Sequence, residues 1–87
     1  MLFLTFGITC FNKEKTIIDC INSCLEIKKI FDPIIEIIVV DDYSKDKSLE
    51  KIKNHFKKEI EIIELHENKG VSNARNIIIE KSNSKFL

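Results

Sequence analysis

The sequence predicts an α/β fold, because short apolar runs alternate with amphipathic helical segments and each run gives way to a polar loop. Three strand–helix units in succession call for right-handed crossovers and a parallel sheet. The architecture expected is therefore a Rossmann-like parallel sheet with flanking helices, built as one unit over residues 1–87. A chain this short buries only about 60 to 65% of its unfolded surface, so its apolar faces matter to its stability.

Each element has its own signal. Leu2 to Thr9 is apolar, suits a strand, and runs into the polar turn Asn12, Lys13, Glu14. From Glu14 to Ile30 the positions Ile17, Ile18, Cys20, Ile21, Cys24 and Leu25 recur at spacings of three and four, one apolar stripe on a helix. Asp32 and Pro33 end it, since proline disfavours helical geometry in the residue before it.

Ile35 to Val40 is nearly all β-branched, the pattern of a strand covered on both faces, and it stops at Asp41 and Asp42. Ser44 is placed to cap a second helix, with Asp46 in its first turn and Leu49, Ile52 and Phe56 as its buried stripe. Ile60 to Leu65 reads as a third strand. Gly70 breaks the following loop, Val71, Ala74, Ile77 and Ile78 mark the inner face of a third helix, and Lys85-Phe86-Leu87 begins a fourth strand.

Charge and cysteine content narrow the function classes. Fourteen basic and fourteen acidic residues cancel, so no basic field exists to draw in nucleic acid or an anionic membrane. Cys10, Cys20 and Cys24 fit neither a CxxC hook nor an even disulfide framework, which points to reduced thiols acting as small buried hydrophobes in the cytoplasm. The opening apolar run Met1 to Phe11 has no basic residue before it and no small-residue cleavage site after it. It reads as a strand, with a signal-peptide core as the minor alternative.

In parallel sheets of this kind ligands bind beyond the carboxyl ends of the strands, here Thr9 to Asn12, Asp41 to Ser44 and His66 to Gly70. Asp41 and Asp42 are adjacent carboxylates at such an end. They suit a ligand's hydrogen-bond donors or a cation, and equally well the capping of loop amides. Arg75, the one arginine, stands early on a helix whose amino end favours anions; a surface salt bridge to Glu67 or Asp42 is its plainer alternative. Phe11 offers a face for stacking on a planar base, or simply packs on a helix. His55 and His66 have no metal-ligand spacing, and no Gly-rich GxGxxG or GxxxxGK[ST] loop follows the first strand.

Three segments in order then resemble the start of family 2 glycosyltransferases: Ile8-Thr9-Cys10-Phe11-Asn12, Ile37-Ile38-Val39-Val40-Asp41-Asp42-Tyr43-Ser44-Lys45-Asp46 and Asn68-Lys69-Gly70-Val71-Ser72-Asn73-Ala74-Arg75-Asn76. The resemblance implies the amino-terminal half of a GT-A domain that binds a nucleotide-sugar donor, UDP-linked, for inverting transfer to a glycan or lipid-linked acceptor hydroxyl in surface glycan synthesis. It implies that Asp41 contacts the base, that Thr9 and Phe11 line the base pocket, that Arg75 lies near the base or diphosphate, and that Asp42 and Ser44 shape the loop. Thr9 and Cys10 stand where the family writes Pro-Thr, Phe11 lacks a tyrosine hydroxyl, and Tyr43 occupies a position that is often glycine.

The family's divalent metal, Mn or Mg, is held by an Asp-x-Asp motif that follows the strand beginning at Lys85-Phe86-Leu87, where this sequence stops. No metal ligand is therefore assigned within the 87 residues. On this reading the isolated chain is a truncated piece without transferase activity and with weak nucleotide affinity, cytoplasmic or peripheral at the inner face of the membrane. Two rivals are a non-catalytic remnant or interaction protein, and a receiver-like phosphoryl-binding module. The latter ranks lower because no strand-end aspartate follows the first or third strand.

Overall fold

The computed structural model describes residues 4–31, 35–56 and 58–82. The elements run β1 (Leu4–Cys10), α1 (Ile17–Phe31), β2 (Ile35–Asp41), α2 (Ser48–His55), β3 (Glu61–Glu64) and α3 (Val71–Lys81). The three strands are all parallel, in the order β1-β2-β3. β1 pairs with β2 from Leu4↔Ile35 to Cys10↔Asp41, and β2 with β3 from Ile38↔Glu61 to Asp41↔Glu64. This register brings Cys10, Asp41 and Glu64 level, so that the three following loops open on one edge of the sheet.

β2 is the middle strand, and its side chains alternate between two cores as the pleat requires. Ile35, Ile37 and Val39 join Cys10, Ile17, Ile21, Ile52 and Phe56 under α1 and α2. Ile38 and Val40 join Ala74 and Ile78 under α3. The near-continuous β-branched run thus reflects burial on both faces. α3 crosses β1 closely at Gly7, where an added Cβ would stand 2.5 Å from Ile78 Cγ2.

Several boundaries differ from those read in the sequence. β1 extends through Cys10 and β2 through Asp41, while β3 is one residue shorter at each end than Ile60 to Leu65. α1 begins at Ile17 because Thr16 and Ile17 both donate to the Lys13 carbonyl, making a turn of the residues before it. Ser44 does not cap α2, which starts four residues later at Ser48; Asp46 takes the Ser48 N–H instead, at 2.9 Å. Cys20 on α1 is exposed, and so is Val71 at 49%, since the first turn of α3 lies at the sheet edge rather than over its core. Leu2, Asp32, Pro33 and the strand expected at Lys85-Phe86-Leu87 lie outside the described residues.

Candidate functional site

An open cavity of about 440 Å³ lies where the ends of β1 and β2 meet the start of α3. Thr9, Cys10, Phe11 and Lys13 form its first wall, Asp42 its floor, and Asn68, Gly70, Val71 and Ala74 its second wall. Of the residues the sequence singled out, Thr9, Phe11 and Asp42 come together here. Phe11 is 40% exposed, leaving ring surface open to a ligand.

The two aspartates at the end of β2 divide the work differently from the reading in the sequence. Asp41, expected at the base, is 1% exposed and does not line the cavity. Its carboxylate accepts Ser44 N–H at 3.0 Å and Ser44 Oγ–H at 2.6 Å. The alternation of a strand turns it inward, and the serine three residues on satisfies it. Asp42, expected only to shape the loop, is 4% exposed, yet it lines the cavity. Its two oxygens accept the N–H groups of Lys69 at 3.0 Å and Gly70 at 2.9 Å, which draws the β3–α3 loop against β2. Asn68 Nδ2 adds a bond of 3.2 Å to the Asp42 carbonyl.

Arg75 is exposed on α3 and does not line the cavity. Glu67, a possible partner for it in the sequence, pairs instead with Lys69 at 3.0 Å. Ser44 holds the first loop as well as Asp41, because its Oγ accepts the Asn12 N–H at 2.9 Å.

Both strand-end loops use left-handed backbone. Asn12 has φ 53° and Tyr43 φ 62°. Asparagine tolerates this region, whereas a tyrosine there carries steric strain of about 1 kcal/mol or more. Tyr43 accordingly takes the backbone angle that a glycine would supply at that position.

The site also includes contacts that the sequence did not show. Asn12 Oδ1 accepts Lys45 N–H at 2.8 Å, so its side chain bridges the first two loops. Asp46 accepts from Ser48 N–H, from Ser48 Oγ–H at 2.5 Å and from Glu14 N–H at 3.1 Å. Burial alone pushes the Asp46 carboxyl up, but the Ser48 hydroxyl and the N–H groups of Ser48 and Glu14 outweigh it and hold the group below the usual carboxylate range. Burial pushes the Cys10 thiol up, against the lowering effect of Ser48, and this keeps it a protonated core residue rather than a nucleophile. The signal for Asn12 was its place at a loop that needs φ above zero; the contacts of Asp46 and Ser48 with the Glu14 and Lys13 amides span more than thirty residues and leave no periodic trace.

Among the described residues there is no group of three or more His, Cys, Asp and Glu side chains placed to hold a metal ion.

Residues 5–87 match the model of the family described as Glycosyl transferase family 2. The chain is 30% identical over 88 residues to a poly-beta-1,6-N-acetyl-D-glucosamine synthase of Staphylococcus epidermidis, covering 97% of this chain and 20% of that protein. It is 37% identical over 84 residues to the SPbeta prophage-derived glycosyltransferase SunS of Bacillus subtilis, covering 97% and 18%. Against a teichoic acid poly(glycerol phosphate) polymerase of S. epidermidis the identity is 33% over 87 residues, covering 97% and 12%. The chain therefore spans a fifth or less of the length of these relatives. Among solved structures, S. aureus TarS 1-349 superposes with a TM-score of 0.71 at 25% identity, over 95% of this chain and 25% of TarS. The α/β sheet of GT-A type expected from the sequence is the fold found, and the chain belongs to glycosyl transferase family 2.

Proposed function

We propose that the cavity takes the nucleotide part of a UDP-linked sugar donor, for inverting transfer of the sugar to a hydroxyl of a glycan or lipid-linked acceptor in surface glycan synthesis. The observation that carries this reading is the placement of Phe11 and Asp42 on one open cavity at the strand ends. Phe11 supplies a face on which a planar base stacks. Asp42 uses one acceptor site on each oxygen for Lys69 and Gly70, and an ionised carboxylate has about four. Acceptor capacity is therefore left for the imide N–H of uracil.

This moves the base contact from Asp41 to Asp42 and gives Asp41 the inward, loop-holding task. Thr9 adds a hydroxyl to the same wall. Arg75, exposed on α3 one residue after the cavity-lining Ala74, is assigned to the base or diphosphate of the donor on the family resemblance. The relatives' names range from an N-acetylglucosamine polymer to a glycerol phosphate polymer, and we accordingly propose the donor at the level of its nucleotide and leave the transferred group open. The described residues contribute base recognition, and the transfer step is assigned to none of them. A cytoplasmic setting suits the three free thiols. Among the described residues no helix is long and apolar enough to cross a membrane.

The test is a titration of the purified protein with UDP, with and without manganese, followed by backbone amide shifts. Saturable shifts at Phe11 and Asp42, abolished in Asp42→Ala and little changed by manganese, support the reading. A folded protein whose spectrum is unmoved by UDP refutes it and leaves the non-catalytic remnant in front.

A further inference from the structure

Three consecutive backbone N–H groups of the β1–α1 loop are all received by side chains of the β2–α2 segment. Asn12 N–H donates to Ser44 Oγ at 2.9 Å, Lys13 N–H to Ser48 Oγ at 2.7 Å, and Glu14 N–H to Asp46 Oδ2 at 3.1 Å. A serine hydroxyl has one proton to give. Ser44 gives its proton to Asp41 Oδ1 at 2.6 Å, and Ser48 gives its own to Asp46 Oδ1 at 2.5 Å. With the proton committed to a carboxylate, each hydroxyl turns its lone pairs to the loop and serves as a fixed acceptor, strengthened by the charge behind it. Two Asp–Ser couples of the same design thus hold neighbouring amides of one loop.

The loop so held is the one that carries Phe11 and Lys13 into the cavity. Phe11 lies between two fixed points: Cys10, whose carbonyl accepts Asp42 N–H at 2.8 Å, and Asn12, which is tied to Ser44 and, through Oδ1, to Lys45. The couples lie outside the cavity lining. Ser48 is 0% exposed and Asp41 1%, so neither can meet a ligand without rebuilding the fold. We infer that the Asp41–Ser44 and Asp46–Ser48 couples are positioning residues for nucleotide binding, which set the Phe11 ring opposite Asp42 by holding the Asn12, Lys13 and Glu14 amides. This assignment rests on the nucleotide reading above. It gives a specific task to the buried aspartate that the cavity does not use.

A purely structural role would lower the melting temperature without a separate effect on binding. Preorganisation of a stacking face affects affinity directly, because a mobile loop has its ordering cost added to the binding step. The experiment compares wild-type protein with Ser44→Ala, Ser44→Thr and Asp46→Asn, measuring UDP affinity by calorimetry and amide hydrogen exchange at Asn12, Lys13 and Glu14. Ser44→Ala is expected to weaken UDP binding by about tenfold, the effect of one lost charge-assisted hydrogen bond. It is also expected to speed exchange at Asn12 in a protein that still melts cooperatively. Ser44→Thr restores both, since it restores the hydroxyl.

Asp46→Asn keeps one acceptor oxygen for Ser48 and loses the other, so exchange rises at Glu14 and affinity falls in parallel; it serves as the second variant should Ser44→Ala fold poorly. Equal UDP affinity in wild type, Ser44→Ala and Asp46→Asn overturns the assignment while leaving the nucleotide reading in place. Unchanged exchange at Asn12 in Ser44→Ala, or a threonine that fails to restore binding, overturns it as well. Wild-type protein that takes no UDP overturns the nucleotide reading and this assignment together.

Discussion

The two faces of the sheet are held by different means. Under α1 and α2 the described residues include eight buried hydrophobic side chains, against four under α3. The polar ties follow the same division. The first face adds the bonds that join Asn12, Lys13 and Glu14 to Ser44, Asp46 and Ser48. The α3 side has the close approach at Gly7, the 2.6 Å hydrogen bond between the Thr5 and Ser82 hydroxyls, and Asp42 holding Lys69 and Gly70. Substitutions in the core under α1 and α2 should therefore cost more stability than those under α3.

The largest effect tests the division directly. Ile21→Ala removes a side chain with 0% exposure from the larger cluster and should cost about 2 to 5 kcal/mol of stability. Ile78→Ala, 8% exposed in the smaller cluster, should fall at the low end of that range. Urea unfolding of the two variants ranks them, and a larger loss at Ile78 would break the comparison.

Next comes Gly7→Ala, whose new Cβ meets Ile78 Cγ2 and should cost about 1 to 3 kcal/mol by forcing α3 off β1. The double variant Gly7→Ala/Ile78→Ala should be scarcely less stable than Ile78→Ala alone. Simple addition of the two losses would show that the close approach is not what places α3.

Asp42→Ala should cost about 1 kcal/mol, since it strips acceptors from two loop amides that water can partly reach. Hydrogen exchange should quicken at Lys69 and Gly70 and stay unchanged at Asn12, which sharpens the contrast between the walls. If both loops loosen together, the walls are a single unit.

A smaller, pH-linked effect belongs to Asp46. Its folded pKa is depressed by the Ser48 and Glu14 donors, so its contribution to stability is fully present above the ordinary carboxylate pKa of about 4 and is lost as pH falls through the lower folded value. Asp46→Asn should flatten that part of the stability profile, and an identical acid limb in both proteins would count against it. Arg75→Ala should be the mildest of all, within about 0.5 kcal/mol by thermal melting, because the side chain is exposed and lies outside the cavity.

Much of the fold was legible because its signals are local. The β-branched run Ile35 to Val40 announced a strand buried on both faces, and the structure divides it between two cores. The spacing of Ile17, Ile21 and Cys24 announced the inner side of α1, while Cys20 in the same stripe proved exposed, since a stripe of that width overruns the surface a sheet can cover. The candidate site was legible as a region and less so as roles. Thr9, Phe11 and Asp42 do meet on one cavity, but the sequence placed Asp41 there and assigned Ser44 to a helix cap.

Pattern and composition by themselves determined the class of fold, the order of its elements and the sheet edge at which the strand-end loops gather, because hydrophobic period and turn chemistry act over a few residues. The family likeness was equally legible, in three short segments. Which of two adjacent aspartates faces the cavity was decided only in three dimensions. Neighbouring residues at a strand end point to opposite sides, and the choice depended on partners such as Ser44 and the amides of Lys69 and Gly70, which the chain brings near only once the sheet has formed.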